Sequence, residues 1–201
     1  MLTCESLSCT RGGKTIFSGL GFSLLPGSVL AISGRNGSGK TSLLRIIAGL
    51  LHPERGKILW EGEEVGGTPE LSASCLYIGH ENAIKPELTV WENIVHWTRL
   101  RGEEMLIPAA LQYWGLEAIA DMQCGALSAG WRRRMALAQL VTTPSLIWLL
   151  DEPTAHLDAD GAGRLNALIS TRCNQGGIVL VSHHGAVEIR NILYLDINVF
   201  S

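Results

Sequence analysis

The sequence contains no apolar run approaching the roughly 20 residues that a membrane-spanning helix needs. Its start lacks a charged region followed by an apolar stretch, so we expect no signal peptide. The net charge is −3, which provides no overall basic field, and we expect no nucleic acid partner. The cysteines number five and include no C-x-x-C pair, which favours free thiols in a reducing, cytosolic compartment.

The chain does contain a glycine-rich loop between two predicted elements. The segment GRNGSGKT at 34–41 matches G-x-x-x-x-G-K-[ST]. The apolar run at 29–33 before it predicts a buried parallel strand, and residues 42–49 after it have helical spacing. Backbone N–H groups of such a loop point at one anion, and the helix N-terminus adds partial positive charge. We therefore expect a nucleoside triphosphate to be bound by Gly34, Arg35, Asn36, Gly37, Ser38, Gly39, Lys40, Thr41 and Ser42.

A pair of acidic residues follows a second apolar run. Residues 146–150 predict a strand that leads directly into Asp151 and Glu152. A carboxylate at the end of such a strand lies beside the phosphate loop, so we expect Thr41 and Asp151 to hold Mg²⁺. Glu152 is then placed to orient or deprotonate an attacking water.

A third motif, LSAG at 127–130, precedes a helix with three arginines in its first turn. Small residues and a hydroxyl at a helix N-terminus suit a phosphate, although an ordinary serine cap is the alternative interpretation. One nucleotide is not easily reached by both this loop and the glycine loop of the same chain. We expect a head-to-tail homodimer, in which the serine loop of one chain caps the nucleotide of the other.

Together these motifs resemble the ATP-binding subunits of ABC transporters, and the likeness covers essentially the whole chain. LSAG resembles the family signature, DEPT at 151–154 the Walker B segment, and AHLD at 155–158 the D-loop. His183 matches the switch histidine, which implies contact with the γ-phosphate and a part in positioning the water. The resemblance implies ATP and Mg²⁺ as cofactors. It also implies that the nucleotide is contacted by Ser128, Ala129, Gly130 and Asp158.

Within this family the chain resembles the haem exporter ATPases of cytochrome c biogenesis. The likeness is carried by GHE at 79–81, IKPELT at 84–89 and the arginines at 132–134. It implies a membrane-spanning partner subunit, CcmB-like and working with a CcmC-like complex, through which alone the substrate is reached. It also implies a peripheral location on the cytoplasmic face of the inner membrane. Either haem is exported, or a haem-loaded chaperone is released.

Three positions depart from the family pattern. Arg11 stands where many relatives have an aromatic residue that stacks on adenine, and its guanidinium plane can stack instead. His80 stands in place of the glutamine that senses the γ-phosphate; it is a candidate catalytic residue and a candidate ligand of a metal-bound water. Trp131 replaces the glutamine that ends the signature, and since indole has one donor, a core-filling or stacking role is at least as expected.

The predicted fold is α/β: a P-loop NTPase of the ABC ATPase type, with a mostly parallel sheet core, an antiparallel β part and a helical insert. We expect a single nucleotide-binding domain over 1–201, with the core at 1–79 and 144–201 and the helical subdomain at about 80–143. Trp91 and Trp97 in this insert are either a docking surface for a cytoplasmic helix of the membrane subunit or part of its core. Strands are predicted at 2–9, 20–25, 57–60, 75–78, 146–150 and 177–181, and helices at 108–115, 131–141 and 160–173. Thr89 and Glu92 have the spacing of a capping box, which predicts the start of a further helix.

Three alternative functions stay open at this point. The chain could be the ATPase subunit of another small-substrate transporter. A soluble ABC ATPase of translation or DNA repair is less expected, because those proteins usually carry two cassettes or a long coiled coil. A P-loop kinase or GTPase is less expected still, since the guanine-reading N-K-x-D is absent.

Overall fold

The computed structural model describes residues 1–65, 69–183 and 192–200. The chain forms two compact units. The first comprises Met1–Tyr77, Ser145–Glu152 and Ser170–Ser201, and the second comprises Ile78–Pro144 and Pro153–Ile169. Among the described residues, no helix has the length and apolar character needed to cross a membrane.

The first unit contains a mostly parallel sheet of five strands, and the glycine loop at 34–41 follows one of them. The spatial order of the strands is β6-β7-β8-β3-β9, and the β7·β8, β3·β8 and β3·β9 pairs are parallel. Strands β7 and β8 are buried along their whole length, which explains why they read as continuous apolar runs. The strands are β3 (Val29–Ser33), β6 (Cys75–Ile78), β7 (Ile147–Asp151), β8 (Ile178–Ser182) and β9 (Ile192–Asp196).

A second sheet in this unit is antiparallel, with the order β2-β1-β4-β5. Its strands are β1 (Leu2–Arg11), β2 (Lys14–Leu24), β4 (Arg55–Trp60) and β5 (Glu63–Glu64). Strand β2 is longer than predicted and begins directly after the turn at Gly12 and Gly13. Irregularities shift the β1·β2 register at three places, so inward-facing and outward-facing side chains do not alternate regularly along these strands.

Helix α1 (Lys40–Ile47) packs its apolar face into the core of the first unit. A short helix, α2 (Pro69–Ser74), precedes β6 and was not predicted, because six residues are too few to show a helical period. The final apolar stretch forms β9 and a 3₁₀ turn at Ile197–Phe200. Helix α7 (Ala159–Asn174) runs through residues of both units.

Helices dominate the second unit, as the sequence predicted. They are α3 (Val90–Arg101), α4 (Ile107–Trp114), α5 (Ala129–Leu137), α6 (Gln139–Thr142) and the beginning of α7. Helix α3 begins with the expected capping box: the Thr89 hydroxyl accepts from Glu92 N, and the Glu92 carboxylate accepts from Thr89 N. One continuous helix over 131–141 is wrong, since the Ala138 amide bonds Met135 O, three residues back, and separates α5 from α6.

Candidate nucleotide site

Strand β3 leads into the glycine loop, and α1 begins at Lys40 with Gly39 as its N-cap at φ 102°. A Cβ at Gly39 would lie 2.7 Å from Ile16 Cγ2 and 2.9 Å from Phe17 Cδ1, and its backbone conformation is one that L residues avoid. A Cβ at Gly34 would lie 2.6 Å from Ile197 Cγ2. The loop therefore needs glycine at both positions, and its tight curl leaves a concave backbone surface suited to an anion.

Lys40 lies inside this loop with only 6% of its surface exposed. Its ammonium donates to Gly34 O at 2.8 Å and to Arg35 O at 3.2 Å. Neutral carbonyl groups are weak partners for a buried cation, so a phosphate oxygen is a stronger acceptor for the same ammonium. Ser38 Oγ is also buried, and it has no hydrogen-bond partner in the described part of the chain. Both observations fit a loop shaped for a bound anion.

Asp151 ends β7 and is 1% exposed. Its Oδ2 accepts from the Thr41 hydroxyl at 2.8 Å, and its Oδ1 accepts from the Ser182 hydroxyl at 2.6 Å. The parallel pairing of β7 with β8 sets Asp151 opposite Ser182, so the sheet register itself brings the two side chains together. A hydroxyl and a carboxylate thus lie side by side at the loop, which is the oxygen donor set that Mg²⁺ prefers.

Glu152 and His183 follow the ends of the same two strands. Glu152 has φ 47°, and its N–H donates to Ser182 Oγ at 2.9 Å. The His183 N–H donates to Ile32 O at 3.2 Å, which ties it to the strand before the glycine loop. Both ring nitrogens of His183 are buried without a hydrogen-bond partner among the described residues. An imidazole with two unused nitrogens is able to bond an incoming ligand.

A groove of about 700 Å³ adjoins the glycine loop. It is lined by Lys14, Thr15, Ile16, Arg35, Asn36, Gly37, Ser38, Asp196 and Asn198. Arg11, the sequence candidate for stacking on the base, lies exposed at the end of β1. The groove is lined instead by the first residues of β2 and by the turn after β9, where Asn198 Oδ1 accepts from Arg35 N at 3.2 Å. Neither segment carried a recognisable sequence motif.

The serine loop and the D-loop lie together in the second unit. The Ser128 side chain accepts from Trp131 N at 3.3 Å and caps α5, so the ordinary cap interpretation holds for its hydroxyl in this conformation. A Cβ at Gly130 would lie 3.0 Å from His156 O, so the two loops approach closely. Ser128 and Ala129 are exposed, and they leave the backbone of the first turn open to an outside group.

The Asp158 carboxylate already has partners within the chain. It accepts from Gly161 N at 2.8 Å and from Arg134 Nη2 at 2.6 Å, and the latter donor also reaches Asp160 at 3.0 Å. The Gly161 N–H and then the Arg134 guanidinium hold the pKa of Asp158 below its usual range. Trp131 lies over Arg134, with 5.4 Å between the guanidinium carbon and the ring centroid. The indole therefore has the stacking role that sequence reasoning weighed for it.

His80 belongs to this second unit and is exposed. Its neighbour Gly79 is held by Arg133, which sequence reasoning missed and which is 2% exposed. Arg133 donates from Nη1 to Gly79 O at 2.8 Å and to Asn82 Oδ1 at 2.9 Å, and from Nε to Pro153 O at 3.1 Å. A buried arginine with these acceptors fixes the segment that carries His80 to the one that follows Glu152. The run of three arginines at 132–134 was the only feature of the sequence that drew attention to Arg133.

No cluster of three or more histidine, cysteine or acidic side chains able to hold a metal occurs in residues 1–65, 69–183 and 192–200. All five cysteines are free thiols, and burial raises the pKa of Cys4 to about 12.

Solved structures of ATP-binding cassettes have a fold similar to that of this chain. A putative ABC transporter ATP-binding protein from Pyrococcus furiosus superposes with a TM-score of 0.83 over 100% of this chain and 98% of its own, at 23% identity. An ATP-binding cassette in a dimeric post-hydrolysis state, bound to ADP and Pi, gives 0.83 over 98% of this chain and 95% of its own, at 22% identity. These likenesses confirm the predicted α/β fold with its mostly parallel and antiparallel sheets.

Comparison of sequences is more specific. Residues 17–155 match the ABC transporter family. The cytochrome c biogenesis ATP-binding export protein CcmA of Wolbachia pipientis is 43% identical over 94% of this chain and 91% of its own length. The protein of the same name from Rhodospirillum rubrum is 42% identical over 98% of this chain and 85% of its own. The chain therefore belongs to the ABC transporter family and, within it, to the CcmA group of cytochrome c biogenesis ATP-binding export proteins.

Proposed function

We propose that this chain is the ATP-hydrolysing subunit of the membrane complex that exports haem, or releases a haem-loaded chaperone, in cytochrome c maturation. The relatives named above, at 42–43% identity over nearly the whole chain, support the pathway. The observation that carries the chemistry is the contact of Thr41 with Asp151 at 2.8 Å, beside the buried ammonium of Lys40. A cation, a hydroxyl and a carboxylate around one glycine loop are what phosphoryl transfer to water requires.

Thr41 and Asp151 would hold Mg²⁺. The fit rests on their donor set and on the concave loop beside it, which a Cβ at Gly34 or Gly39 would disrupt. When bound, the ion would neutralise charge that develops on the phosphate oxygens. Lys40 would turn from the Gly34 and Arg35 carbonyls to the triphosphate, with the loop N–H groups as further donors.

Glu152 orients the attacking water and accepts its proton, and His183 donates to the γ-phosphate through its unpartnered imidazole. Catalysis of this kind is mostly positioning and electrostatic stabilisation, with no covalent intermediate on the protein. His80 is proposed to sense the γ-phosphate from the helical unit, where relatives use a glutamine. Arg11 and the groove beside the loop would receive the base and ribose.

Two copies of the chain are proposed to close around two ATP molecules. The exposed serine loop, with Ser128, Ala129 and Gly130, would cap the nucleotide held by the other copy, and Asp158 would lie at the same seam. Hydrolysis would reopen the dimer. Support comes from the open backbone of the first turn of α5, whose N–H groups suit a phosphate.

A membrane-spanning subunit, CcmB-like and associated with a CcmC-like complex, is proposed to bind the helical unit. Trp91 is 41% exposed at the start of α3, whereas Trp97 is half-buried. The exposed indole is an apolar group that a cytoplasmic helix of the membrane subunit could cover. The chain would thereby lie on the cytoplasmic face of the inner membrane, and the substrate would be reached only through this partner.

Two variants test the chemistry. We expect Glu152→Gln to bind ATP but hydrolyse it about 10²–10⁴ times more slowly, as for loss of a general base, and Lys40→Ala to lose ATP affinity. Lys57→Ala is the matched control, because it removes a lysine ammonium that is exposed on strand β4 of the antiparallel sheet and pairs there with Glu5. Wild-type turnover in both site variants would contradict the site assignment.

The pathway needs a separate test in the native host. Affinity purification of the chain from solubilised membranes is expected to recover a membrane-spanning subunit, identified by mass spectrometry. A chromosomal Glu152→Gln variant is expected to lose covalently bound haem in its c-type cytochromes, measured by haem staining, while keeping b-type haem. Normal cytochrome c in that variant, or a membrane partner of another transport system, would overturn the haem assignment and leave the ATPase assignment intact.

A further inference from the structure

Ser182 is the last residue of β8 and is completely buried. Its hydroxyl lies 2.6 Å from Asp151 Oδ1 and 2.9 Å from Glu152 N. The two acidic residues on which the proposed chemistry depends are thus both bonded to one side-chain oxygen. No sequence motif assigns a role to this serine, which directly precedes His183.

The direction of both hydrogen bonds is fixed by chemistry. A backbone N–H can only donate and an ionised carboxylate can only accept. The Ser182 hydroxyl therefore accepts from Glu152 and donates its single proton to Asp151. Since Asp151 Oδ2 also accepts from Thr41, the hydrogen bonds run in order from the glycine-loop helix, through the Asp151 carboxylate and the Ser182 hydroxyl, to the Glu152 backbone.

The Glu152 backbone needs such support. Its φ of 47° places it in the left-handed region, which costs a residue with a side chain about 1–2 kcal/mol relative to its usual conformations. The Glu152 N–H donates to Ser182 Oγ and is thereby satisfied, and the Glu152 side chain departs from the same turn. On the other side of Ser182, the His183 N–H is held by Ile32 O. One serine thus lies between the turn that aims Glu152 and the residue that carries the switch imidazole.

We propose that Ser182 is a positioning residue for ATP hydrolysis: its hydroxyl sets the orientation of the Asp151 carboxylate for the metal and the direction of the Glu152 side chain for the water. The inference rests on the proposed function. Ser182 itself touches neither nucleotide nor water in this role, so it is not a catalytic residue. Its removal is expected to act on kcat and on the response to Mg²⁺, and only weakly on the binding of ATP without metal.

Ser145 offers a matched control in the same unit. It is 6% exposed, and its hydroxyl is buried without a hydrogen-bond partner among the described residues. Ser145→Ala and Ser182→Ala therefore remove the same atom from similar burial, but only Ser182→Ala removes a hydrogen-bond donor from the buried Asp151 carboxylate and an acceptor from the Glu152 N–H. We expect Ser182→Ala to lower kcat about tenfold to a hundredfold, as for loss of hydrogen bonds that include one to a buried charged group. Ser145→Ala should stay within about twofold of wild type, as expected for loss of an unpaired buried hydroxyl.

A second measurement is independent of turnover. Titration of the full-length chain with a fluorescent ATP analogue gives its affinity with Mg²⁺ and with EDTA. Ser182→Ala is expected to reduce the gain in affinity that Mg²⁺ provides, while the affinity in EDTA stays near wild type. Ser182→Thr keeps the hydroxyl on a side chain that suits a strand, and it should recover most of both properties. Thermal melting of each variant checks that it is folded.

The outcomes separate the inference from the function on which it rests. If wild type binds and hydrolyses ATP, and folded Ser182→Ala matches Ser145→Ala in kcat and in the effect of Mg²⁺, the positioning role is wrong and the proposed function stands. The role is also wrong if Ser182→Thr and Ser182→Ala are both folded and equally impaired. A wild-type chain that neither binds nor hydrolyses ATP overturns the proposed function itself.

Discussion

The glycine loop at 34–41 and the adjoining ends of β7 and β8 form the glycine-loop edge of the first unit. This edge and the serine loop at 127–130 of the second unit satisfy their polar groups in different ways. At the glycine-loop edge, Lys40 and Asp151 are at least nine-tenths buried, and Asp151 is bonded to Thr41 and Ser182. At the serine loop, Ser128 is exposed, and its hydroxyl is used only to cap its own helix.

This difference indicates what each region is ready to do. Burying a charge is costly unless its partners are in place, so the glycine-loop edge is preorganised for chemistry within one chain. The serine loop is exposed at the N-terminus of α5, and the N–H groups of a first helical turn suit an anionic ligand held by another molecule. Substitutions in the glycine loop itself should therefore impair nucleotide binding by a single chain, whereas those in the second region should impair only turnover that needs two chains.

Among substitutions that compare the two regions, Gly39→Ala is expected to have the largest effect. The new methyl group would overlap Ile16 and Phe17, and the φ of 102° is unfavourable for alanine. We expect ATP affinity to fall about a hundredfold, since strain of this kind costs up to about 3 kcal/mol. The measurement is titration with a fluorescent ATP analogue.

Gly163→Ala is the control for this substitution. It lies in α7, where a Cβ meets nothing within 4 Å, so alanine should stabilise the helix by about 0.5–1 kcal/mol. ATP affinity should be unchanged. An equal loss of affinity in both variants would show that the glycine loop is not the binding surface.

A smaller effect is expected in the second region. Arg134→Ala removes the guanidinium that joins the helix of the serine loop to Asp158 and Asp160. We expect ATP hydrolysis to fall about tenfold, as for loss of one charge-assisted contact of about 1.4 kcal/mol, while ATP affinity of the single chain stays at the wild-type value. Arg132→Ala, an exposed neighbour on the same helix, should change neither quantity. A loss of ATP affinity in Arg134→Ala would contradict the expectation that the second region affects turnover but not ATP binding by a single chain.

The regions also differ in how far the sequence could predict them. Lys40, Thr41 and Asp151 were found because their motif lies between a buried strand and a helix, and local pattern alone defines that arrangement. Ser182 and Arg133 were not found, since their roles depend on which strands and segments become neighbours in space. The pairing of Asp151 with Ser182 across β7 and β8 joins residues 31 positions apart, and no local pattern encodes it.

Prediction of the fold from the sequence was limited in the same way, to features with a strong local pattern. The long buried strands and the capping box at Thr89 were predicted, because apolar runs and cap residues are strong local signals. The short helix α2 and the break at Ala138 were not, because six residues or one displaced hydrogen bond leave no period to detect. The groove lining outside the glycine loop was likewise missed, since it combines residues 14–16 with Asp196 and Asn198, which are far apart in sequence.

A modest pH dependence should distinguish the two regions further. The Gly161 N–H, and then Arg134, lower the pKa of the exposed Asp158 carboxylate in the folded state. A lowered folded-state pKa stabilises the fold above the ordinary aspartate pKa of about 3.9, and that contribution is lost as pH falls through the lower value. Asp158→Asn keeps the cap acceptor without the charge. Its denaturation midpoint should therefore lie below that of wild type between pH 5 and 7 and approach it towards pH 3.

The smallest expected change is in Trp131→Gln, which restores the residue that relatives carry at the end of the signature. The indole stacks on Arg134 and is 37% exposed, and such a contact contributes about 0.5–1 kcal/mol. Arg134 keeps its two carboxylate partners without it. We therefore expect hydrolysis to stay within about fivefold of wild type. Complete loss of turnover would show that the indole itself is required. Trp131→Phe, which keeps an aromatic face for Arg134, would then show whether stacking is the property that matters.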